Sequence, residues 1–254
     1  MKLLTSSALA FALAAPAYAR TFTVYNGCPF TVWPAMFTGD TANGVPSYTT
    51  GWEADAYTAV SFDVPDTWTA GRIWARRDCT FDGSTSPNTC LDGGCNGGLV
   101  CDPTTGTGVP PATLAEFTLS PTGQDNYDVS LVDGYNLPLS ITNTVGCPEP
   151  GCFVDLGPNC PAPYQGPYDS TGFPVGCQSA CNVDPDPSNS PACCSGQYDT
   201  PATCPSSGDP TYSYFKSNCP NTYAYAYDES SGTALWTCPG TSAADYTITF
   251  CPPA

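Results

Sequence analysis

Residues 126–137 read NYDVSLVDGYNL. The stretch reads as a strand that ends at a turn, since Asp133-Gly134 is a turn signal. Asp128 and Asp133 flank its short apolar run five residues apart. On an uninterrupted strand an odd spacing sends side chains to opposite faces. The two carboxylates can therefore line one cleft only if the strand stops between them. What they do there depends on the rest of the chain.

The surroundings of this stretch are also strand-like. Residues 112–153 contain LAEFTLS and the continuation NLPLSIT, and residues 20–77 contain RTFTVYN, FTVWPAMFT, YTAVSFDVP and GRIWARR, with proline and glycine in the gaps. These runs alternate or are β-rich, and none has helical periodicity. Residues 221–254 read as strands again, through TYAYAYDE and DYTITFC. Two segments differ. Residues 78–111 hold Cys79, Cys90, Cys95 and Cys101 amid Gly, Ser, Asn and Asp, too polar for a core and suited to a small stapled lobe. Residues 154–220 are proline-rich, with seven cysteines, and read as a larger stapled lobe. Short helices are expected there, near GCQSACNV or TYSYFKSN. The expected architecture is all-β dominated: one antiparallel sandwich assembled from three separated segments, with two cysteine-rich insertions.

Residues 1–19 stand apart. Lys2, an apolar run and Ala17-Tyr18-Ala19 form a secretory signal with an A-x-A cleavage site, so the mature chain is expected to begin at Arg20. No later apolar run is long enough for a membrane span. The sixteen cysteines then belong in an oxidising compartment as eight disulfides. There is no histidine. That removes Ser-His-Asp and Cys-His catalysis and disfavours zinc. Lys216 is the only lysine beyond the leader, so Schiff-base chemistry is also disfavoured. Acid–base work falls to carboxylates, and a paired carboxyl is the device of glycosidases. The formal charge of −17 repels nucleic acid and anionic membranes but not neutral polymers such as glucans or chitin. Acidity also keeps a secreted protein soluble and disfavours self-association, so a monomer is expected.

GRIWARRDCTFDG, PPATLAEFTL, YDVSLVDGYNLPL, CPNTYAYAYDE and the ending TITFCPPA resemble the thaumatin-like family, also called pathogenesis-related group 5. The resemblance covers residues 20–254. It implies a thaumatin-like β-sandwich with two disulfide-rich lobes and a cleft between the core and the larger lobe. It also implies the bridges Cys28–Cys251, Cys79–Cys90, Cys95–Cys101, Cys147–Cys238, Cys152–Cys219, Cys160–Cys177, Cys181–Cys193 and Cys194–Cys204. Spacing alone leaves that connectivity open. The segment CLDGGC departs from the family's C-x-T-G-D-C, placing Asp92 and Gly94 where Thr and Asp are usual. The phrasing of residues 51–79 looks closer to fungal members than to the sweet-tasting plant protein, which relies on a basic surface.

Acidic members of the family share an arginine, a glutamate and three aspartates lining the cleft. Residue by residue, the resemblance places these at Arg72, Glu116, Asp128, Asp133 and Asp228. Crowded carboxylates raise at least one pKa. Glu116 lies within an apolar strand and is the expected general acid, with Asp128 or Asp133 as the second carboxylate and Arg72 as the group that orients and ionises one of them. The structural alternative is that Arg72 only pairs with a strand carboxylate and Asp133 only makes the turn. Phe117, Tyr127, Tyr135, Tyr225 and Tyr227 are candidate stacking platforms for sugar, about half of which alternation sends to the core. Trp33 and Trp74 are expected to be core.

Three functions fit. The first is a secreted, wall-associated endo-β-1,3-glucanase that needs no metal or cofactor. The second is a non-catalytic β-1,3-glucan binder, distinguished by the absence of new reducing ends. The third is a defence protein acting on a receptor, whose activity would survive neutralisation of Glu116 and Asp128. A hard cation held between the cleft carboxylates would show as sensitivity to EDTA.

Overall fold

The computed structural model describes residues 19–253, so the leader apart from Ala19 lies outside the described residues. Alternation builds ten strands. The first sheet contains β1 (Ala19–Asn26), β3 (Ala59–Pro65), β7 (Leu139–Asn143), β8 (Gly151–Cys152) and β10 (Tyr246–Phe250), in the order β3-β1-β10-β7-β8. The second contains β2 (Trp33–Asp40), β4 (Thr69–Arg76), β5 (Leu114–Thr118), β6 (Gln124–Ser130) and β9 (Trp236–Pro239), in the order β2-β4-β5-β6-β9.

One side-chain set from each sheet fills the space between them. Phe22, Val24, Phe62, Val64, Ile141, Tyr246 and Ile248 meet Ile73, Ala115, Phe117, Tyr127 and Val129, all almost wholly buried. Phe22, Phe117 and Tyr246 interlock with centroids 4.8–5.4 Å apart. At one end of this core the carboxylate of Asp125 accepts from Arg20 at 2.9 Å and from the Tyr246 hydroxyl at 2.8 Å, which satisfies a buried charge.

Two expectations need correction. The sandwich is not wholly antiparallel, because β1 and β10 pair in parallel, Phe22 opposite Tyr246 through Asn26 opposite Phe250. A parallel pair needs a long crossover connection, and here nearly the whole chain supplies it. The Cys28–Cys251 bridge closes that pair just past its end. TYAYAYDE is not a strand either. Only Tyr223 makes a bridge, to Ser130, and the chain then turns into a 3₁₀ segment at Asp228–Ser231. The buried Asp228 carboxylate accepts from the Ala224 amide at 3.0 Å, which folds the segment back on itself.

The two insertions are held by bridges rather than by large cores. All eight disulfides join the cysteines that the family resemblance implied. The small lobe is also pinned by Arg76. Its buried guanidinium donates to the carbonyls of Trp33, Pro34, Gly98 and Leu99 at 2.7–3.3 Å. In the same lobe a Cβ on Gly94 would stand 1.8 Å from the Pro87 carbonyl oxygen, so only glycine fits there. The larger lobe carries the one α-helix of the described residues, α1 (Tyr212–Asn218), within the TYSYFKSN segment, and a short 3₁₀ turn at Cys181–Val183.

Candidate active site

The core-facing residues of β4, β5 and β6 leave their neighbours no choice of face. Since Ile73, Ala115, Phe117, Tyr127 and Val129 point inward, Arg72, Glu116 and Asp128 point outward. Strand register then puts these three in one row. Arg72 is opposite Glu116, and Glu116 is opposite Asp128. On one side of this row lie Thr118 and Asn126, and on the other Leu114 and Ser130.

Asp133 joins the row by the route its spacing required. β6 ends at Ser130. The Leu131 amide then bonds to the Tyr223 carbonyl, and the Gly134 amide closes a turn on the Leu131 carbonyl at 2.9 Å. Gly134 has φ +83, and a Cβ there would stand 2.7 Å from the Cys177 carbonyl oxygen. Glycine is thus required twice over, by conformation and by space. The turn brings Asp133 within reach of Arg72. The Arg72 guanidinium reaches Glu116 at 3.3 Å and Asp133 at 3.9 Å. The cleft encloses about 510 Å³, with Val132, Tyr223 and Ala226 among its walls.

Three carboxyls share this one guanidinium. Burial pushes the Glu116 carboxyl up; Arg72 opposes this, Asp133 adds to it, and a hydrogen bond with the Ser130 hydroxyl opposes it again. About a third of the Glu116 side chain still meets the cleft. Asp128 is pushed well above the usual carboxylate range by burial, then by the Glu116 charge and more weakly by Glu229, against Arg72. Its Oδ1 is buried without a hydrogen-bond partner. Asp133 is raised by burial and held back by Arg72. Glu116 touches Arg72 and Asp128 lies one strand further away, so the cation favours the charged form of Glu116 more directly than that of Asp128.

Asp228 is not brought to the cleft. It is 1% exposed, paired with Lys216 at 2.8 Å, and accepts from the Tyr212 hydroxyl at 3.2 Å. A single lysine on α1 captured it. Its exposed neighbour Glu229 is the one whose charge acts on Asp128. The proposed sugar platforms also need correction. Phe117, Tyr127 and Tyr135 are buried at 2%, 0% and 0% exposure, and their rings pack inside the protein. Tyr225 is buried edge-on against Tyr212, and Tyr227 donates to the Asp199 carbonyl. Trp74 is buried, while Trp33 is half-buried against Phe81.

Two aromatic residues line the cleft, the buried Phe117 and the half-buried Tyr223, and strand reasoning passed over Tyr223. The alternation of TYAYAYDE grouped Tyr223 with Tyr225 and Tyr227, but the segment is not a strand, and Tyr223 is held by its bridge to Ser130 instead. Thr118, Asn126 and Ser130 were also missed, although each lies at an even spacing from Glu116 or Asp128 and alternation alone would have found them. Among the described residues, no group of three or more His, Cys, Asp or Glu side chains is arranged to hold a metal ion.

A two-sheet sandwich with eight disulfides, two stapled lobes and an acidic cleft defines a class of protein, and sequence comparison names it. Residues 26–252 match the model of the thaumatin family, and the chain belongs to that family. A pathogenesis-related thaumatin-like protein 3.5 of Cryptomeria japonica is 42% identical over 238 residues, spanning 92% of this chain and 90% of the relative. A Prunus avium relative named glucan endo-1,3-beta-glucosidase is 40% identical over 243 residues, spanning 93% and 92%. Among solved structures, the thaumatin-like xylanase inhibitor TLXI aligns with 91% of this chain and 99% of its own, at 20% identity and a TM-score of 0.45.

Proposed function

We propose that this is a secreted glycoside hydrolase that cuts β-1,3-glucan of fungal-type cell walls within the acidic cleft. The observation that carries the reading is the row Arg72–Glu116–Asp128 with Asp133 at its end. It sets two carboxyls that burial pushes toward the protonated form beside a third that faces the same guanidinium, in an open groove. The Prunus avium relative supports the choice of polymer.

The roles follow from the electrostatics. Asp128 gives its proton to the glycosidic oxygen as the bond to the anomeric carbon breaks. Glu116 and Asp133, both beside Arg72, stabilise the positive charge that develops on the sugar, and one of them takes the proton of the attacking water. Sequence reasoning put the acid at Glu116. The deeper burial of Asp128 and the contact of Arg72 with Glu116 support moving it. Thr118, Asn126, Ser130 and Tyr223 offer hydroxyls and an amide to the sugar. No metal or cofactor has a part in this scheme, and the protein acts as a monomer outside the cell in wall degradation, remodelling or autolysis.

The experiment is incubation of wild type, Asp128→Asn and Glu116→Gln with a soluble β-1,3-glucan at mildly acidic pH. Reducing ends and product sizes are followed over a day. Wild type should yield a ladder of oligosaccharides. Each variant should lose at least about a hundredfold, the usual range for a positioned acid or base being 10²–10⁴. Wild type that releases no reducing ends yet co-sediments with insoluble glucan would refute hydrolysis in favour of a non-catalytic binding or antifungal defence role.

A further inference from the structure

A second concavity lies away from the acidic cleft. It encloses about 840 Å³ between the small lobe and the loop around residue 168 of the larger lobe, and shares no lining residue with the cleft. Asp78, on its edge, follows Arg72 by six residues, a separation of roughly 20 Å along an extended chain. Nothing in the proposed reaction uses it.

Its walls are built and held. On one side, the Ser84 hydroxyl accepts from the Ser86 amide and the Ser86 hydroxyl from the Asn88 amide, both at 3.2 Å, inside the loop closed by Cys79–Cys90. On the other, Asp169 Oδ1 accepts from the Thr171 amide and hydroxyl and from the Phe173 amide at 2.6–3.0 Å. These bonds hold the Asp169 carboxyl below its ordinary value. Tyr168 is 50% exposed, and its hydroxyl donates to Gln165 at 3.0 Å. That bond fixes the ring by its tip and leaves ring surface to solvent.

The chemistry of the lining selects its ligand. No lysine or arginine lines it, and Asp78, Asp82 and Asp169 repel phosphate, sulfate and uronic acids. It is also too polar for a lipid or an apolar peptide: Leu91 is its one aliphatic side chain. A neutral polyhydroxyl chain fits. Its hydroxyls can both donate to carboxylates and exchange bonds with Ser, Thr and Asn, while the apolar face of a sugar covers an exposed tyrosine ring. The volume is that of an ordinary ligand site, and stapled walls lower the cost of ordering it. We propose that this concavity is an auxiliary site for a neutral polysaccharide chain, with Tyr168 as its stacking platform. It supplies the exposed ring that Phe117, Tyr127 and Tyr135 do not supply in the cleft. The choice of β-1,3-glucan as probe rests on the function proposed above; the class of neutral glycan does not.

The test uses the intact secreted protein as wild type, Tyr168→Ala, Tyr168→Phe and Glu116→Gln. Retention on insoluble β-1,3-glucan is measured beside amide NMR shifts on titration with a β-1,3-glucan hexasaccharide. Tyr168→Ala should weaken retention about tenfold, as loss of a central aromatic contact does. Tyr168→Phe, which keeps the ring, should restore most of it. The hexasaccharide should shift amides of residues 80–91 and 168–171 in Glu116→Gln as in wild type. Hydrolysis of the short oligosaccharide should be the same in Tyr168→Ala as in wild type. If wild type hydrolyses nothing but these shifts persist, the hydrolase reading fails and the auxiliary site stands. Unchanged retention in Tyr168→Ala, or shifts confined to the acidic cleft, overturns the proposal.

Discussion

Asp92→Asn should stabilise this protein, and only where the native aspartate would be charged. Asp92 is 3% exposed, inside the small lobe. Its Oδ1 accepts from Asn136 Nδ2 at 2.7 Å, while Oδ2 is buried without a partner. Asn136 is itself fixed, since it also donates to the Ala75 carbonyl and accepts from the Thr113 amide. Burial is the main cause that lifts the Asp92 carboxyl from 3.8 to about 7, against the Asn136 bond and the Arg77 charge. A raised carboxyl means that the folded protein holds a proton that the unfolded chain has released. Stability from this group is therefore full below pH 4, falls as pH rises from about 4 to 7, and is level above that. At about 1.36 kcal/mol per pH unit the loss is somewhat over 4 kcal/mol, an upper bound because water reaches a charged group by local relaxation. Asparagine keeps the acceptor for Asn136 and cannot ionise. Urea unfolding of both proteins with disulfides intact, at several pH values from 4 to 8, should give curves that coincide at pH 4 and separate by about 2–4 kcal/mol above pH 7. A separation that does not change with pH, or a variant less stable than wild type at pH 7.5, would refute the reasoning.

Lys216→Met should cost about 3–5 kcal/mol, because it strands the buried Asp228 carboxylate; thermal unfolding measures it, and no change would mean that Asp228 finds water. The rate of glucan hydrolysis should fall as pH rises through the raised pKa of the Glu116–Asp128 couple. Arg72→Met, which removes the charge that lowers all three cleft carboxyls, should move that alkaline limb to higher pH while reducing the rate. A pH–rate profile decides, and a limb that moves down or stays put contradicts the assignment. Gly94→Ala should destabilise the small lobe by more than the 1–3 kcal/mol usual for overpacking, since its Cβ meets backbone and not a movable side chain. Proteolysis of the 78–111 loop reports it, and wild-type resistance would show that the loop gives way.

The disulfide-rich, acidic class was legible from composition, and most strands from alternation. LAEFTLS and NYDVSL put Glu116 and Asp128 opposite the core faces of their strands, because period two leaves no alternative. The family resemblance added the disulfide connectivity, which no spacing could provide. The aromatics were misread because alternation gives two faces without saying which is wet. Tyr127 and Phe117 share the face of Val129 and Ala115, and only packing against the first sheet made that face the interior.

By itself, then, the sequence determined which side chains share a strand face, that the chain is stapled and acidic, and, through its lack of histidine, that carboxylates are the candidates for any acid–base role. These are local or compositional properties. Tertiary structure alone decided that Arg72, Glu116 and Asp128 form one row, since register is set by pairing between strands far apart in the chain. It alone carried Asp133 to the same cleft and gave Asp228 to Lys216 instead. Where a carboxylate ends up depends on the nearest cation that folding brings to it, and that distance is not written in either residue's neighbourhood.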